Sequence, residues 1–264
     1  MLHLDLKNHV AVVGGCTQGI GKAVAVELAR QGAQLILIAR NEEKLQSVQE
    51  QLPRPQPELA HQYYVADYAD EEQFHNLLRR LREDAWPVSI LVNNTGGPAP
   101  GPVVDASVES FLSAFQQHLV RNHELMQACR PAMRERGYGR IINVISTSVK
   151  QPLAHLGVSN TVRAAVASWA KTLANELGRE GITVNNVLPG ATRTARLDGI
   201  IQNQAKKDGL TMDRAAENMK ANIPAGRFGT PEELAYMVAF LASPYAAYVN
   251  GVNIPVDGGR TGSL

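Results

Sequence analysis

Residues 10–40 read VAVVGGCTQGIGKAVAVELARQGAQLILIAR, and their pattern decides the fold. Val10, Ala11, Val12 and Val13 form an apolar run, and Gly14, Gly15, Gly19 and Gly21 mark the turn behind it. Ala23, Val26, Leu28 and Ala29 follow at helical spacing, and a second apolar run, 35–39, closes the stretch. Strand, glycine turn, helix and strand within about 30 residues make a βαβ unit, whose turn is a ready anion site. Glycine there permits positive φ and lets the backbone approach a pyrophosphate. The helix N-terminus adds unpaired N–H groups and partial positive charge. The spacing Gly15-x-x-x-Gly19-x-Gly21 is one residue longer in its first gap than the commonest dinucleotide fingerprint.

The alternation continues down the chain. Helical periodicity predicts helices over 42–52, 70–84, 107–136, 155–179 and 231–242, with Ser107 and Thr230 as caps. Pro231 suits a first helical position. Pro53, Pro55 and Pro57 break the first of these helices into a surface loop. Buried strands are predicted over 61–66, 88–92, 140–145, 182–188 and 251–256, and residues 196–223 predict an irregular helical segment. Six or seven parallel strands wrapped by helices follow, an α/β doubly wound sheet. Ligands of such sheets lie at the carboxyl ends of the strands. The glycine turn, Arg40, Asp67, residues 93–96, Ser146 and residues 189–194 all fall at such ends.

The bulk composition narrows the function classes. The chain has 264 residues, without a linker or composition shift, so 1–264 is expected to be one domain. Its 26 basic and 25 acidic residues give a net charge of +1, which argues against a nucleic-acid footprint or a polybasic membrane patch. Two cysteines, Cys16 and Cys129, make no disulfide framework. The opening MLHLDLKNHV lacks a signal-peptide layout, and no apolar run approaches ~18 residues. A cytoplasmic protein without membrane or metal is the expectation.

Taken together, these features resemble the short-chain dehydrogenase/reductase family over essentially the whole chain. The matching residues are Gly15, Gly19 and Gly21, Asp67, Asn93-Asn94-x-Gly96, Ser146, Asn185, Pro189-Gly190 with Thr194, and the tail 223–259. That tail, IPAGRFGTPEELAYMVAFLASPYAAYVNGVNIPVDGG, is close to the pattern of the 3-oxoacyl-carrier-protein reductase branch. The resemblance implies a single-domain Rossmann fold with a seven-stranded parallel sheet and a substrate-covering segment at about 194–223. It also implies a homotetramer, or a dimer, built through two long helices. Gly15, Gly19, Ile20 and Gly21 would then cradle the cofactor, and Asp67 would bond the adenine amino group. Asn93 and Gly96 would line the adenosine side and support the sheet. Pro189 and Gly190 complete the cofactor set, with Thr194 at the nicotinamide end.

Cofactor choice is read from the end of the second strand. NAD sites usually carry an acidic residue there for the ribose 2′-OH. Here Ala39 is followed by Arg40, which can pair bidentately with a 2′-phosphate. NADP(H) is predicted, with NAD(H) as the second choice.

The catalytic stretch departs from the family. Conventional members carry a serine, a tyrosine thirteen residues on and a lysine four further. Counting from Ser146, this chain has Ser159 and Arg163, and AAVASWAKTLANEL behind them keeps the register. A family asparagine on the preceding long helix falls on His118, counted back from Pro131. Gly14 stands where the family has threonine, and Thr95 where it has alanine. A tyrosine near pKa ~10 can be tuned downward by a neighbouring cation. A serine hydroxyl has no comparable route to general-acid work. Arg163 stays charged and can still donate to ribose hydroxyls. His118, titrating near ~6.5, is the first candidate for a substitute proton donor, ahead of Lys150 and His155. Ser146 would hold a substrate carbonyl.

Two functions fit. One is a divergent oxidoreductase moving hydride between NADP(H) and a carbonyl or alcohol, resembling a 3-oxoacyl-thioester reductase. The other is a catalytically silent NADP(H)-binding or partner-supporting protein on the same fold.

Overall fold

The computed structural model describes residues 4–56 and 59–263; Pro57, expected in the proline loop, lies outside them. In chain order the elements are β1 (Val10–Gly14), α1 (Gly19–Arg30), β2 (Gln34–Ala39), α2 (Glu42–Gln51), β3 (Gln62–Val65) and α3 (Glu71–Glu83). Next come β4 (Val88–Asn93), α4 (Val108–Phe115), α5 (Arg121–Arg136), β5 (Gly139–Val144) and α6 (Gly157–Leu177). The chain ends with β6 (Ile182–Pro189), α7 (Ala195–Asp208), α8 (Met212–Lys220), α9 (Pro231–Ala242) and β7 (Asn253–Val256). The seven strands make one parallel sheet in the order β3-β2-β1-β4-β5-β6-β7. Strand order therefore reverses between β1 and β4, where a crevice is expected.

Each strand shares its apolar residues between two layers, because successive side chains point to opposite faces. Ala11 and Val13 of β1 pack with α1 and α9 through Leu28, Leu234 and Val238. Val10 and Val12 pack the other way, with Phe74 and Leu77 of α3, Leu125 of α5 and Leu173 of α6. Each fully buried side chain of this size contributes about 1.5–3 kcal/mol before entropy is charged. A third, smaller cluster joins Leu197, Ile201, Ala205, Ala215, Ile223 and Phe228, so α7 and α8 share a core of their own. Ser107 caps α4 by accepting from the Ser110 N–H at 3.2 Å. At α9, Pro231 holds the first position and the Thr230 N–H donates to Glu233 at 2.8 Å.

Two features depart from the sequence reading. The single helix expected over 107–136 is divided by a π-helical turn, Gln116–Val120. Such a wide turn accommodates an extra residue without ending the helix, and it often marks a functional position. His118 lies in this turn and is 2 % exposed. The second feature is a ladder of asparagines. Asn93, Asn143, Asn186 and Asn253 stand opposite one another on β4, β5, β6 and β7. Asn93 Nδ2 donates to Asn143 Oδ1 at 2.8 Å, Asn143 Nδ2 to Asn186 Oδ1 at 2.8 Å, and Asn186 Nδ2 to Asn253 Oδ1 at 2.7 Å. At the β1 end the ladder stops: Asn93 Oδ1 is buried without a partner. Val13 lies opposite Val92, and the next residue on β1 is Gly14, which has no side chain to offer.

Among the described residues no helix is long and apolar enough to cross a membrane. Both cysteines are free and buried, and burial pushes each thiol up to about 12.

Candidate active site

A cleft of about 1410 Å³ runs along the loops that follow the strands. Its walls include Gly15, Gly19, Ile20, Gly21, Arg40, Asp67 and Gly96, and also Ser146, Ser159, Arg163, Pro189, Gly190 and Thr194. Of the residues predicted for the site, Asn93, His118 and the alternative proton donor Lys150 lie off this wall.

The glycine end is shaped by backbone. Gly15 has φ +57°, and a Cβ there would lie 2.7 Å from the Asn94 carbonyl oxygen. A Cβ on Gly21 would overlap the Gly15 carbonyl. No side chain caps the first turn of α1, and that turn holds no acidic residue. Its N–H groups and dipole are thus offered to an anion in a cradle that a side chain would fill. Asn94 fixes the cradle: its Nδ2 donates to the Gly14 and Gly15 carbonyls, each at 3.2 Å. Sequence reasoning named this asparagine in the motif but missed its task as a clamp. Asn93, expected to line the adenosine side and support the sheet, donates its Nδ2 to Asn143 in the sheet ladder. Asn185 is likewise structural, joining Val249 and Val252 across the loop before β7.

Arg40 sits at the end of β2 with its side chain 79 % exposed, and Nη1 lies 3.8 Å from Asp67 Oδ2. That pair is long and solvated, so the guanidinium keeps its donors for a ligand. The other Asp67 oxygen accepts from the Ala69 N–H at 2.9 Å. Gly190 has a steric reason to be glycine, since a Cβ would come within 2.6 Å of Asp257 Cα. Thr194 caps α7 by accepting from the Leu197 N–H at 3.3 Å, and its methyl group faces Gly19.

The other end is shaped by side chains. Ser146 follows β5 and accepts from the Ser148 N–H at 3.0 Å, which fixes its rotamer. Ser159 and Arg163 are four apart on α6, so both point from one helix face. Arg163 is buried and donates to the Val144 carbonyl at 3.2 Å and the Thr95 carbonyl at 3.4 Å. Burial, and then the charge of Arg196, lower its pKa to about 10, so it remains protonated at neutral pH.

His118 does not fit the role first assigned to it. Its Nδ1 lies 2.5 Å from Thr95 Oγ1, and Thr95, not His118, forms the cleft wall. Burial, followed by the charges of Arg163 and Arg196, lowers its pKa to about 3. The ring is therefore neutral throughout the range where an ordinary histidine titrates. His155, on the opposite rim, has a left-handed φ of +58° and passes its carbonyl to the Gly101 N–H at 2.7 Å. Lys150 lies off the cleft wall. Arg196, two residues beyond Thr194 in the first turn of α7, stands on the wall and was missed.

A family model described as Enoyl-(Acyl carrier protein) reductase matches residues 15–261. The chain is 30% identical over 259 residues to the NADPH-dependent reductase BacG of Bacillus subtilis, covering 98% of this chain and 100% of the relative. It is 32% identical over 256 residues to the 3-oxoacyl-[acyl-carrier-protein] reductase FabG of Haemophilus influenzae, covering 96% and 98%. Among solved structures, L-sorbose reductase from Gluconobacter frateurii, complexed with NADPH and L-sorbose, aligns with a TM-score of 0.91 at 29% identity over 100% of both chains.

Proposed function

The chain belongs to the short-chain dehydrogenase/reductase family, and from that premise we propose that it is an NADPH-dependent reductase of a small carbonyl compound, with Ser159 and Arg163 standing where conventional members carry tyrosine and lysine. The observation behind this is one continuous cleft lined by an anion cradle with Arg40 at one end and by Ser146, Ser159 and Arg163 at the other. Relatives named for NADPH-dependent reduction support the same cofactor.

Gly15, Gly19, Ile20 and Gly21 would hold the pyrophosphate, Arg40 the 2′-phosphate, and Asp67 and Gly96 the adenosine. Pro189, Gly190 and Thr194 complete the pocket toward the nicotinamide. When bound, the cofactor supplies or accepts a hydride. Ser146 and Ser159 donate hydrogen bonds to the substrate oxygen. Arg163, fixed by two backbone carbonyls, stabilises the negative charge that develops there, and the proton that completes the alcohol comes from water admitted by the open cleft; preorganised charge of this kind is often the largest catalytic term. His118 contributes as a neutral partner of the Thr95 hydroxyl, a link between the cleft and the buried turn. The segment 194–223, built as α7 and α8, covers the substrate. The exposed stripe Val108, Leu112 and Phe115 on α4 belongs, in this proposal, to a homotetramer contact, which light scattering would report as a fourfold mass.

The test is a screen of carbonyls and alcohols with NADPH and NADP⁺ on wild type and on Ser159→Tyr/Arg163→Lys. Wild-type turnover lost in Arg163→Met supports the proposal. Tight NADPH binding without turnover in wild type, with turnover appearing in the double variant, supports the silent binding protein instead.

A further inference from the structure

The reacting end of the cleft carries a cation that the reductase proposal leaves unused. Arg196 is the second residue of α7, and its guanidinium stands over Gly97. A Cβ on Gly97 would lie 2.5 Å from Nη1 and 2.6 Å from Nη2. Gly97 has no positive φ, and its missing Cβ leaves the space that the flexible Arg196 guanidinium occupies. Among the described residues Arg196 has no ion pair and no side-chain hydrogen bond. Its charge reaches both His118 and Arg163, so it faces the end where the substrate oxygen would sit.

The charge on the surrounding wall is one-sided. On α7, Arg196 and Lys207 line the cleft, whereas Asp198 and Asp208 do not. Among the described residues the carboxylates on the wall are Glu27, Asp67 and Glu232. Glu27 is held by Arg30 at 2.5 Å and by Gln31 at 2.7 Å. Asp67 faces Arg40, and Glu232 belongs to the first turn of α9. The walls supplied by β5, α6 and the turn after β6 contain no carboxylate. The cofactor's phosphates are already provided for by the glycine cradle and Arg40. Arg196 is exposed to the cleft at the opposite end, so its donors are open to an anion on the substrate.

We infer that Arg196, held in the space left by Gly97, takes a carboxylate on the substrate, which makes the substrate a free oxo acid rather than a neutral ketone or a thioester. This rests on the reductase proposal. A planar guanidinium meets a carboxylate through two parallel hydrogen bonds, which fixes the orientation of the carbonyl as well as adding affinity. An ester in the same place leaves the cation unmatched, so the site discriminates by charge.

The experiment measures binding of acetoacetate, levulinate and phenylpyruvate, each beside its methyl ester, by thermal shift of the protein with and without saturating NADPH. At least one acid is expected to bind about tenfold more tightly than its ester. Arg196→Gln is expected to erase that preference while NADPH affinity stays within about twofold. Gly97→Ala keeps every charge but pushes the flexible guanidinium aside, and is expected to weaken the same acid. The inference is overturned if no acid binds, if acid and ester bind equally, or if Arg196→Gln keeps the preference. Failure of the underlying reductase proposal reads out separately, as wild-type protein that oxidises no NADPH with any carbonyl tested, while the acid-to-ester ratio is still measured by binding.

Discussion

The two ends of the cleft are made of different material. At the glycine end the shape comes from what is missing: Gly15 and Gly21 have no Cβ, and the Asn94 amide ties the Gly14 and Gly15 carbonyls to the end of β4. At the reacting end the shape comes from what is present: Ser146, Ser159, a buried Arg163, and a histidine reached only through Thr95. A site made of backbone tolerates almost no change in residue type, because any side chain meets a fixed carbonyl. A site made of side chains can exchange its members while its frame stays intact.

The sharpest way to break the comparison is at Gly21. Gly21→Val places atoms on the Gly15 carbonyl, which cannot move without opening the turn. NADPH affinity is expected to fall by about 1000-fold in a fluorescence titration. Loss of less than about tenfold would show that the cradle is not backbone-limited. Next in size is the asparagine ladder that carries both ends. Asn143→Leu leaves Asn93 Nδ2 and Asn186 Oδ1 unpaired in the sheet. Two buried orphans cost about 3 kcal/mol of unfolding free energy in urea, with the affinity of the surviving folded protein for NADPH retained.

A smaller effect comes from pH. His118 has a folded pKa of about 3, below the roughly 6.5 of an unfolded histidine. Below about pH 6.5 the unfolded chain binds a proton that the folded chain refuses, so stability is lost as pH falls. The slope from one such group approaches about 1.4 kcal/mol per pH unit. His118→Gln is expected to flatten the stability profile by that amount between about pH 6 and pH 5. His9, buried beside Ser89 and Tyr138 near the start of β1, is lowered to about 4 and has the same sign. His9→Gln should flatten the profile without touching turnover, whereas His118→Gln should do both. The smallest expected change is at Arg40: Arg40→Ala should weaken NADPH by about tenfold and leave NADH unaffected, since only the 2′-phosphate is lost.

Much of the fold was legible because it depends on local pattern. The runs at Val10–Gly14 and Val88–Asn93 announce strands, and Pro231 behind Thr230 announces a helix start. The carboxyl-end turns collect at one cleft because parallel strands point the same way. What stayed hidden depends on register. The ladder joins residues separated by 50, 43 and 67 positions, which no local periodicity connects. His118 lies buried in a π turn that helical periodicity does not announce, so its lowered pKa was not legible either. Arg196 was invisible as a site residue because what it meets, the open space at Gly97, lies on a loop 99 positions away in the chain.

The most direct measurement is a paired one on Arg163→Met: NADPH affinity by fluorescence titration, and NADPH oxidation with a carbonyl that wild type reduces. The two-ended cleft predicts affinity within about threefold of wild type and turnover reduced by about 100-fold. Affinity and turnover falling together, or turnover surviving unchanged, would contradict it.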